Sequence, residues 1–211
     1  MAVISGRPVS YLIERLAGAG AGLTEFAGLY GMQRCRRGPD GELYLVEAAE
    51  AVPWRAALDD AAGAAEAAAP AGVTVERKGL AVTIHYRRAP EHAGWADRFS
   101  RDEARRRGLA LHPGKMSVEL RPPVRTDKGT VLEEMAEGLR AVFFAGDDIG
   151  DVPAFRAMGA MRARGISTLS VAVSGAETPA DVTSAADLVV GGPEGVLRIL
   201  EELAPVPGSE G

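Results

Sequence analysis

Gly146-Asp147-Asp148-Ile149-Gly150-Asp151 sets three carboxylates close together, directly after the apolar run Ala141-Val142-Phe143-Phe144-Ala145. Carboxylates this close repel one another unless a cation lies among them. Oxygen donors with no Cys or His nearby suit Mg²⁺. An acidic loop capping the next helix is the alternative, since Asp is favoured there. Lys128 follows Asp127 at the start of a predicted helix, where an anion would also meet unpaired backbone N–H groups. A solvated lysine is the plainer reading. Ser5-Gly6-Arg7 follows a short apolar run, and the Ser5 hydroxyl can donate to a phosphate oxygen or simply belong to a loop. Together the three clusters describe a Mg²⁺-assisted phosphate site, in which a metal and a lysine neutralise a transferring phosphoryl group.

Such clusters belong at the carboxyl ends of strands in an open parallel sheet. The pattern predicts that frame at both ends of the chain. Ala2-Val3-Ile4 reads as a short buried strand. Pro8 suits a first helical turn, Val9, Leu12, Ile13 and Leu16 keep helical spacing, and Gly18 can close the helix. After Pro122-Pro123, Thr126 or Asp127 can cap a helix with Val131, Leu132, Met135 and Leu139 on its apolar side. Residues 141–145 read as a strand buried on both faces. A helix with Phe155 and Met158 inward, a strand within 168–173, a short strand at 188–190 and a helix at 194–203 follow. The fold class is therefore α/β: a doubly wound parallel sheet, Rossmann-like, carrying an inserted α+β module. Its core is assigned to residues 1–24 and 124–205, the inserted module to 25–123, and a disordered tail to 206–211.

Within the inserted module, residues 42–46 read as a strand and 54–71 as an alanine-rich helix. Lys78-Gly79 is a hairpin signal between 73–76 and 80–87. Residues 91–108 read as an exposed helix and 115–121 as a strand. Alternation places Thr83, His85 and Arg87 on one polar face, and Lys115, Ser117, Glu119 and Arg121 on another. If these strands share a sheet with polar faces aligned, they form a hydroxyl-reading surface. A merely solvated face is the alternative for His85, Arg87 and Glu119.

Twenty-four basic against twenty-nine acidic side chains leave a net charge of −5. That balance argues against nucleic-acid partners. Cys35 stands alone, which excludes an internal disulfide or a Cys-rich zinc site. His85, His92 and His112 are too scattered for a histidine metal cluster. No apolar run reaches membrane-span length and no signal peptide is visible, so a soluble cytoplasmic protein is expected. Oligomeric state is not legible. Arginine dominates the cations and lysine occurs only at Lys78, Lys115 and Lys128. In such a chain a lysine can mark a place that needs a compact point charge.

The order Ser5, Lys128 and Gly146-Asp147-Asp148-Ile149-Gly150-Asp151 resembles motifs two to four of the haloacid dehalogenase superfamily. The runs Val3-Ile-Ser-Gly-Arg-Pro8, Gly28-Leu-Tyr-Gly31, Glu76-Arg-Lys-Gly-Leu-Ala-Val-Thr-Ile-His85, Gly114-Lys-Met-Ser-Val-Glu-Leu-Arg-Pro122 and Ala145–Asp151 are similar to its trehalose-6-phosphate phosphatases, in their actinobacterial form. The resemblance spans nearly the whole chain. It implies hydrolysis of trehalose 6-phosphate, a small-molecule sugar phosphate, with Mg²⁺ held by Asp147 and supported by Asp148 and Asp151. It implies that Lys128 and Ser5 hold the phosphoryl group, that Arg7 lines the same pocket, and that the inserted module is a mobile cap binding the sugar. Glu119 lies where family members place a carboxylate for glucose hydroxyls, with His85, Arg87, Lys115 and Arg121 around it.

The resemblance also implies an Asp-x-Asp-x-Thr motif a few tens of residues before Ser5, supplying the nucleophile and the general acid/base. No Asp-x-Asp occurs among the 211 residues. Covalent catalysis without it would fail, so the expectation is a truncated reading frame, inactive as written. A sugar-phosphate-binding or partner-binding protein without catalysis, and a phosphatase for another sugar phosphate, are the alternatives. Absence of the first strand would leave an unpaired apolar edge. Two further departures are Leu29-Tyr30, where many relatives have His or Asn-His, and Gly150, where many have Thr.

Overall fold

The computed structural model describes residues 1–16, 18, 22–176 and 178–204. The chain divides into two compact units, Met1–Thr126 and Asp127–Gly211. The tail expected at 206–211 lies outside the described residues.

The first unit opens with β1 (Ala2–Ile4) and α1 (Val9–Leu16), followed by β2 (Glu25–Gly28), β3 (Gln33–Arg37) and β4 (Leu43–Glu47). These strands form one sheet in the order β1-β2-β3-β4. β1 and β2 run parallel, with Val3 opposite Phe26; the other two pairings are antiparallel. α1 brings Val9 and Leu12 into a core cluster with Phe26 and Cys35. Three points differ from the sequence reading. β2 and β3 were not foreseen. β1 is only half-buried because, among the described residues, it pairs on one side alone. Residues 25–47, assigned to the inserted module, share a sheet with β1.

The rest of this unit comprises α2 (Arg55–Ala68), β5 (Thr74–Arg77), β6 (Val82–His85), α3 (Ala93–Arg107), β7 (Ala110–Gly114) and β8 (Ser117–Arg121). The strands make an antiparallel sheet ordered β5-β6-β8-β7. α2 presents Leu58, Ala61, Ala62 and Ala65 at one-face helical spacing. Leu58, Ala61 and Ala62 pack on Val82, Leu109 and Leu120. Burying a side chain such as Leu58 or Leu120 contributes about 1.5–3 kcal/mol. Arg107 ties the two helices together, donating from Nε to Glu103 (2.7 Å) and from Nη1 to Asp60 (3.0 Å). With one face of the sheet covered this way, the opposite face carries the polar side chains.

The second unit contains α4 (Lys128–Met135), β9 (Ala141–Gly146), α5 (Val152–Ala163), β10 (Ser167–Ser174), α6 (Ala180–Ala185), β11 (Leu188–Gly191) and α7 (Gly192–Leu203). Its three strands are all parallel in the order β11-β10-β9. α5 seats Phe155 edge-on against Phe144, 5.8 Å between ring centroids. Phe155 and Met158 are buried as expected. β9 is half-buried rather than covered on both faces, because it too pairs on one side only. Leu139 falls beyond the end of α4 and is exposed. No helix among the described residues is long and apolar enough to cross a membrane.

Candidate functional site

In the second unit, Asp127 caps α4: its carboxylate accepts from Gly129 N (2.8 Å) and Thr130 N (2.9 Å), and Thr130 Oγ1 accepts from Asp127 N (3.1 Å). This reciprocal cap fixes the first turn, and Lys128 begins it. The Lys128 ammonium is buried and donates to Asp151 Oδ1 at 2.6 Å, with Asp148 Oδ1 at 3.8 Å. Asp151 is also buried, and its other oxygen accepts from the backbone N–H groups of Asp147 and Asp148, both at 3.0 Å. Burial pushes the Asp151 carboxyl above its ordinary value against the pull of Lys128. Gly146 permits this packing, since a Cβ there would stand 2.3 Å from Asp151 Cγ.

The three carboxylates therefore do different jobs. Asp148 caps the turn at 149–151, accepting from Gly150 N at 2.6 Å. Asp147 is exposed, and its carboxylate forms no hydrogen bond or ion pair among the described residues. Asp151 is committed to Lys128 and to the loop backbone. No group of three or more acidic, His or Cys side chains converges as a ready metal cage among the described residues.

In the first unit, Thr83 lies opposite Glu119 and His85 opposite Ser117, so β6 and β8 align their polar faces. Glu76 on β5 is opposite Thr83, and His112 on β7 is opposite Glu119. Across this row, Lys78 Nζ lies 3.4 Å from Glu119 Oε2 and 3.7 Å from Glu76 Oε2. Arg121 Nε donates to Glu119 Oε1 at 2.9 Å. His85 Nε2 is 2.9 Å from Glu76 Oε2, and Arg7 Nη1 donates to Glu76 Oε1 at 3.3 Å. Burial works to raise the Glu76 carboxyl, but the His85 hydrogen bond and the charges of Lys78 and Arg7 outweigh it and hold it low. Burial and the Arg121 charge push His112 below the ordinary histidine value, against Glu119. Thr83 Oγ1, buried in the middle of the row, has no hydrogen-bond partner among the described residues.

Ser5, Arg7, His85, Glu119 and Arg121 all lie in this unit. Ser5 Oγ accepts from Arg7 N at 3.1 Å. Two expected members of the polar face lie off the strands. β6 stops at His85, and Arg87 sits in an exposed turn closed by Ala89 N donating to Tyr86 O (3.0 Å) just before Pro90. Lys115 sits with Met116 in the turn between β7 and β8, where Met116 takes φ 53°, and β8 begins only at Ser117. Glu76 and Lys78 are the cluster members that sequence reasoning did not select. The scarcity of lysine was the signal for Lys78: Lys78 and Lys128, two of the three lysines, each bring an ammonium group on a buried side chain to one of the clusters.

Comparison with known proteins follows the same lines. The sequence pattern of the family described as Trehalose-phosphatase matches residues 1–189. A trehalose-phosphate phosphatase of Mycolicibacterium paratuberculosis is 33% identical over 180 residues, 80% of this chain and 44% of the relative. A probable trehalose-phosphate phosphatase of Sinorhizobium fredii is 34% identical over 164 residues, 74% of this chain and 57% of the relative. The chain thus spans about half the length of these relatives. Among solved structures, a trehalose-6-phosphate phosphatase related protein superposes with TM-score 0.74 at 22% identity, covering 96% of this chain and 80% of its own. A haloacid dehalogenase-like hydrolase from Bacteroides thetaiotaomicron does so with TM-score 0.65 at 15% identity, covering 96% and 86%. These likenesses establish a haloacid dehalogenase-like fold, and the family match over most of the sequence places the chain in the trehalose-phosphatase family.

Proposed function

We propose that the protein acts on trehalose 6-phosphate in the cytoplasm, in a Mg²⁺-dependent hydrolysis to trehalose and inorganic phosphate. The observation that carries this reading is the buried Lys128–Asp151 pair, 2.6 Å apart, beside the exposed Asp147 carboxylate, which has no partner among the described residues, where parallel strand β9 ends. Family membership supports the reaction class, and the names of the relatives support the substrate.

Lys128 brings positive charge to the phosphoryl oxygens, and Asp151 fixes the ammonium in place. Mg²⁺ is commonly held by one or two carboxylates together with substrate phosphate and water. Asp147 and the outer oxygen of Asp148 fit that donor set, with Asp151 as the group that positions the loop. When bound there the cation supplies charge neutralisation at the phosphoryl group. Ser5 and Arg7 are the first unit's own candidates for holding an anion, by the family resemblance. The sheet of β5–β8 with α2 and α3 is the sugar-reading cap. Glu76, Lys78, His85 and Glu119 exchange hydrogen bonds with sugar hydroxyls there, while Arg87 and Lys115 serve as outer contacts on their turns. The family's route takes its nucleophile from an Asp-x-Asp run, which these 211 residues do not contain; the residues present bind, orient and neutralise.

Calorimetric titration and phosphate release, with and without Mg²⁺ across a panel of sugar phosphates, test the reading. Trehalose 6-phosphate is expected to bind in preference to glucose 6-phosphate, more tightly with Mg²⁺, and not in Lys128→Ala. Equal affinity across the panel overturns the substrate. Binding indifferent to Lys128→Ala overturns the site. Binding without phosphate release assigns these residues the ligand-holding part of the reaction only.

A further inference from the structure

Leu29, Tyr30 and Gly31 have φ of 49°, 58° and 99°, three successive residues in left-handed backbone, two of them not glycine. That conformation is costly for L side chains and persists where the surroundings impose it, often at functional sites. Here the surroundings are explicit. Tyr30 N donates to Ser5 O at 3.0 Å, and Thr126 Oγ1 donates to Tyr30 O at 2.6 Å. Both backbone groups of Tyr30 are held, which fixes the point from which its ring projects.

The ring passes over Gly6, where an added Cβ would stand 2.6 Å from Tyr30 Oη. It then lies against Arg121, whose guanidinium carbon is 3.6 Å from the ring centroid. Arg121 in turn donates to Glu119 Oε1, leaving Oε2 facing Lys78. A guanidinium stacked on a ring keeps its planar donors aimed. An unstacked arginine in the same place could rotate and take the carboxylate with it. The Tyr30 hydroxyl forms no hydrogen bond among the described residues, so the ring is the part in use.

We propose that Tyr30 is a positioning residue for sugar recognition, clamping Arg121 and through it the Glu119 carboxylate. The proposal rests on the substrate reading above. Two measurements test it. A double-mutant cycle on thermal unfolding with Tyr30→Ala, Arg121→Ala and the pair tests the clamp without any ligand. Non-additive shifts are expected, and additive shifts overturn the clamp. Titration of the 211-residue protein with trehalose 6-phosphate and with inorganic phosphate tests the consequence. Tyr30→Ala is expected to weaken trehalose 6-phosphate about 10-fold, in line with a desolvated cation–π contact, and to leave inorganic phosphate unchanged. Tyr30→Phe is expected to restore the affinity. Equal weakening in Tyr30→Phe, loss of both ligands, or no loss in Tyr30→Ala overturns the positioning role. A wild-type protein that binds phosphate but not trehalose 6-phosphate, with the cycle still non-additive, overturns the substrate reading and leaves the clamp standing.

Discussion

Lys78 and Lys128 are both buried ammonium groups facing two carboxylates, yet their surroundings differ. Lys128 meets Asp151 at 2.6 Å, and Asp151 is locked by two backbone N–H groups. Lys78 stands 3.4 Å and 3.7 Å from Glu119 and Glu76, and each of those glutamates has an arginine beside it, Arg121 and Arg7 respectively. The first arrangement is a short fixed pair held by a helix cap and a loop. The second is a loose row along a sheet face, with an orphaned Thr83 hydroxyl in its middle. A fixed pair suits one charge at one place, as a phosphoryl group requires. A loose row can exchange its internal contacts for hydroxyls of a ligand. The difference between the two units is thus between a pre-set electrostatic group and an adjustable recognition surface.

Breaking the fixed pair should have the largest effect. Asp151→Ala leaves the Lys128 ammonium buried without its short partner, and truncating one member of such a pair costs about 3–5 kcal/mol. Urea unfolding would measure the loss, and hydrogen exchange should localise it to α4, β9 and α5. A cost below about 1 kcal/mol, the range of surface pairs, would show that the two clusters do not differ in the way described. In the loose row, Glu119→Gln keeps shape and removes charge. A hydrogen bond to a charged group contributes about 1.5–3 kcal/mol. Arg121 loses that assistance while Lys78 keeps Glu76, so a cost of about 2 kcal/mol is expected in the same assay, with trehalose 6-phosphate affinity falling as well.

Legibility in the sequence divides along similar lines. The Asp147–Asp151 loop, Lys128 and the Lys78-Gly79 hairpin were readable because each lies next to a strong local signal: an apolar run, a helix cap or a turn pair. β2 and β3 were not: β2 is only four residues long and ends in Gly28, and Gln33-Arg34-Cys35-Arg36-Arg37 of β3 is almost wholly polar. Their pairing is supported by cross-strand charges, Arg36 to Glu25 at 3.1 Å and Arg34 to Glu25 at 4.0 Å. β7 was hidden by Pro113, which is tolerated because β7 is the last strand of its sheet. Residues 2–4 and 141–145 read as buried strands because they are apolar, but burial depends on a neighbour on each side, which composition does not reveal. The Glu76–Lys78–Glu119 row is a product of register between strands about forty positions apart, and only pairing brings it together.

Gly6→Ala sharpens the comparison from the adjustable side. The new methyl group meets the Tyr30 ring, which must move off Arg121 or carry the loop with it. Overpacking of this kind costs about 1–3 kcal/mol. If the row is adjustable and the clamp orients it, trehalose 6-phosphate affinity should fall. Calorimetry and urea unfolding of Gly6→Ala would read the affinity and the cost, and an affinity equal to the parent's would show that the clamp does not orient the row.

Asp187 supplies the smallest effect and a control on the fixed side, since it is an anchored carboxylate in the same unit as Lys128 but near the surface. It accepts from Arg162 Nη2 at 2.5 Å, from Ser170 Oγ at 2.7 Å and from Ser170 N at 2.9 Å. The Arg162 hydrogen bond, with those from Ser170, holds its pKa at about 2 instead of 3.8. A folded pKa below the unfolded value gives stability that is present above about pH 4 and lost as pH falls through about 2. At full weight the difference is about 2.4 kcal/mol. With 32% of the side chain exposed, solvent screening reduces it to about 1 kcal/mol. Asp187→Asn should therefore be less stable than the parent by about 1 kcal/mol at pH 7, and the gap should close between pH 4 and pH 2. A gap that persists unchanged at pH 2 would mean that shape rather than charge holds β10 to the residues before β11.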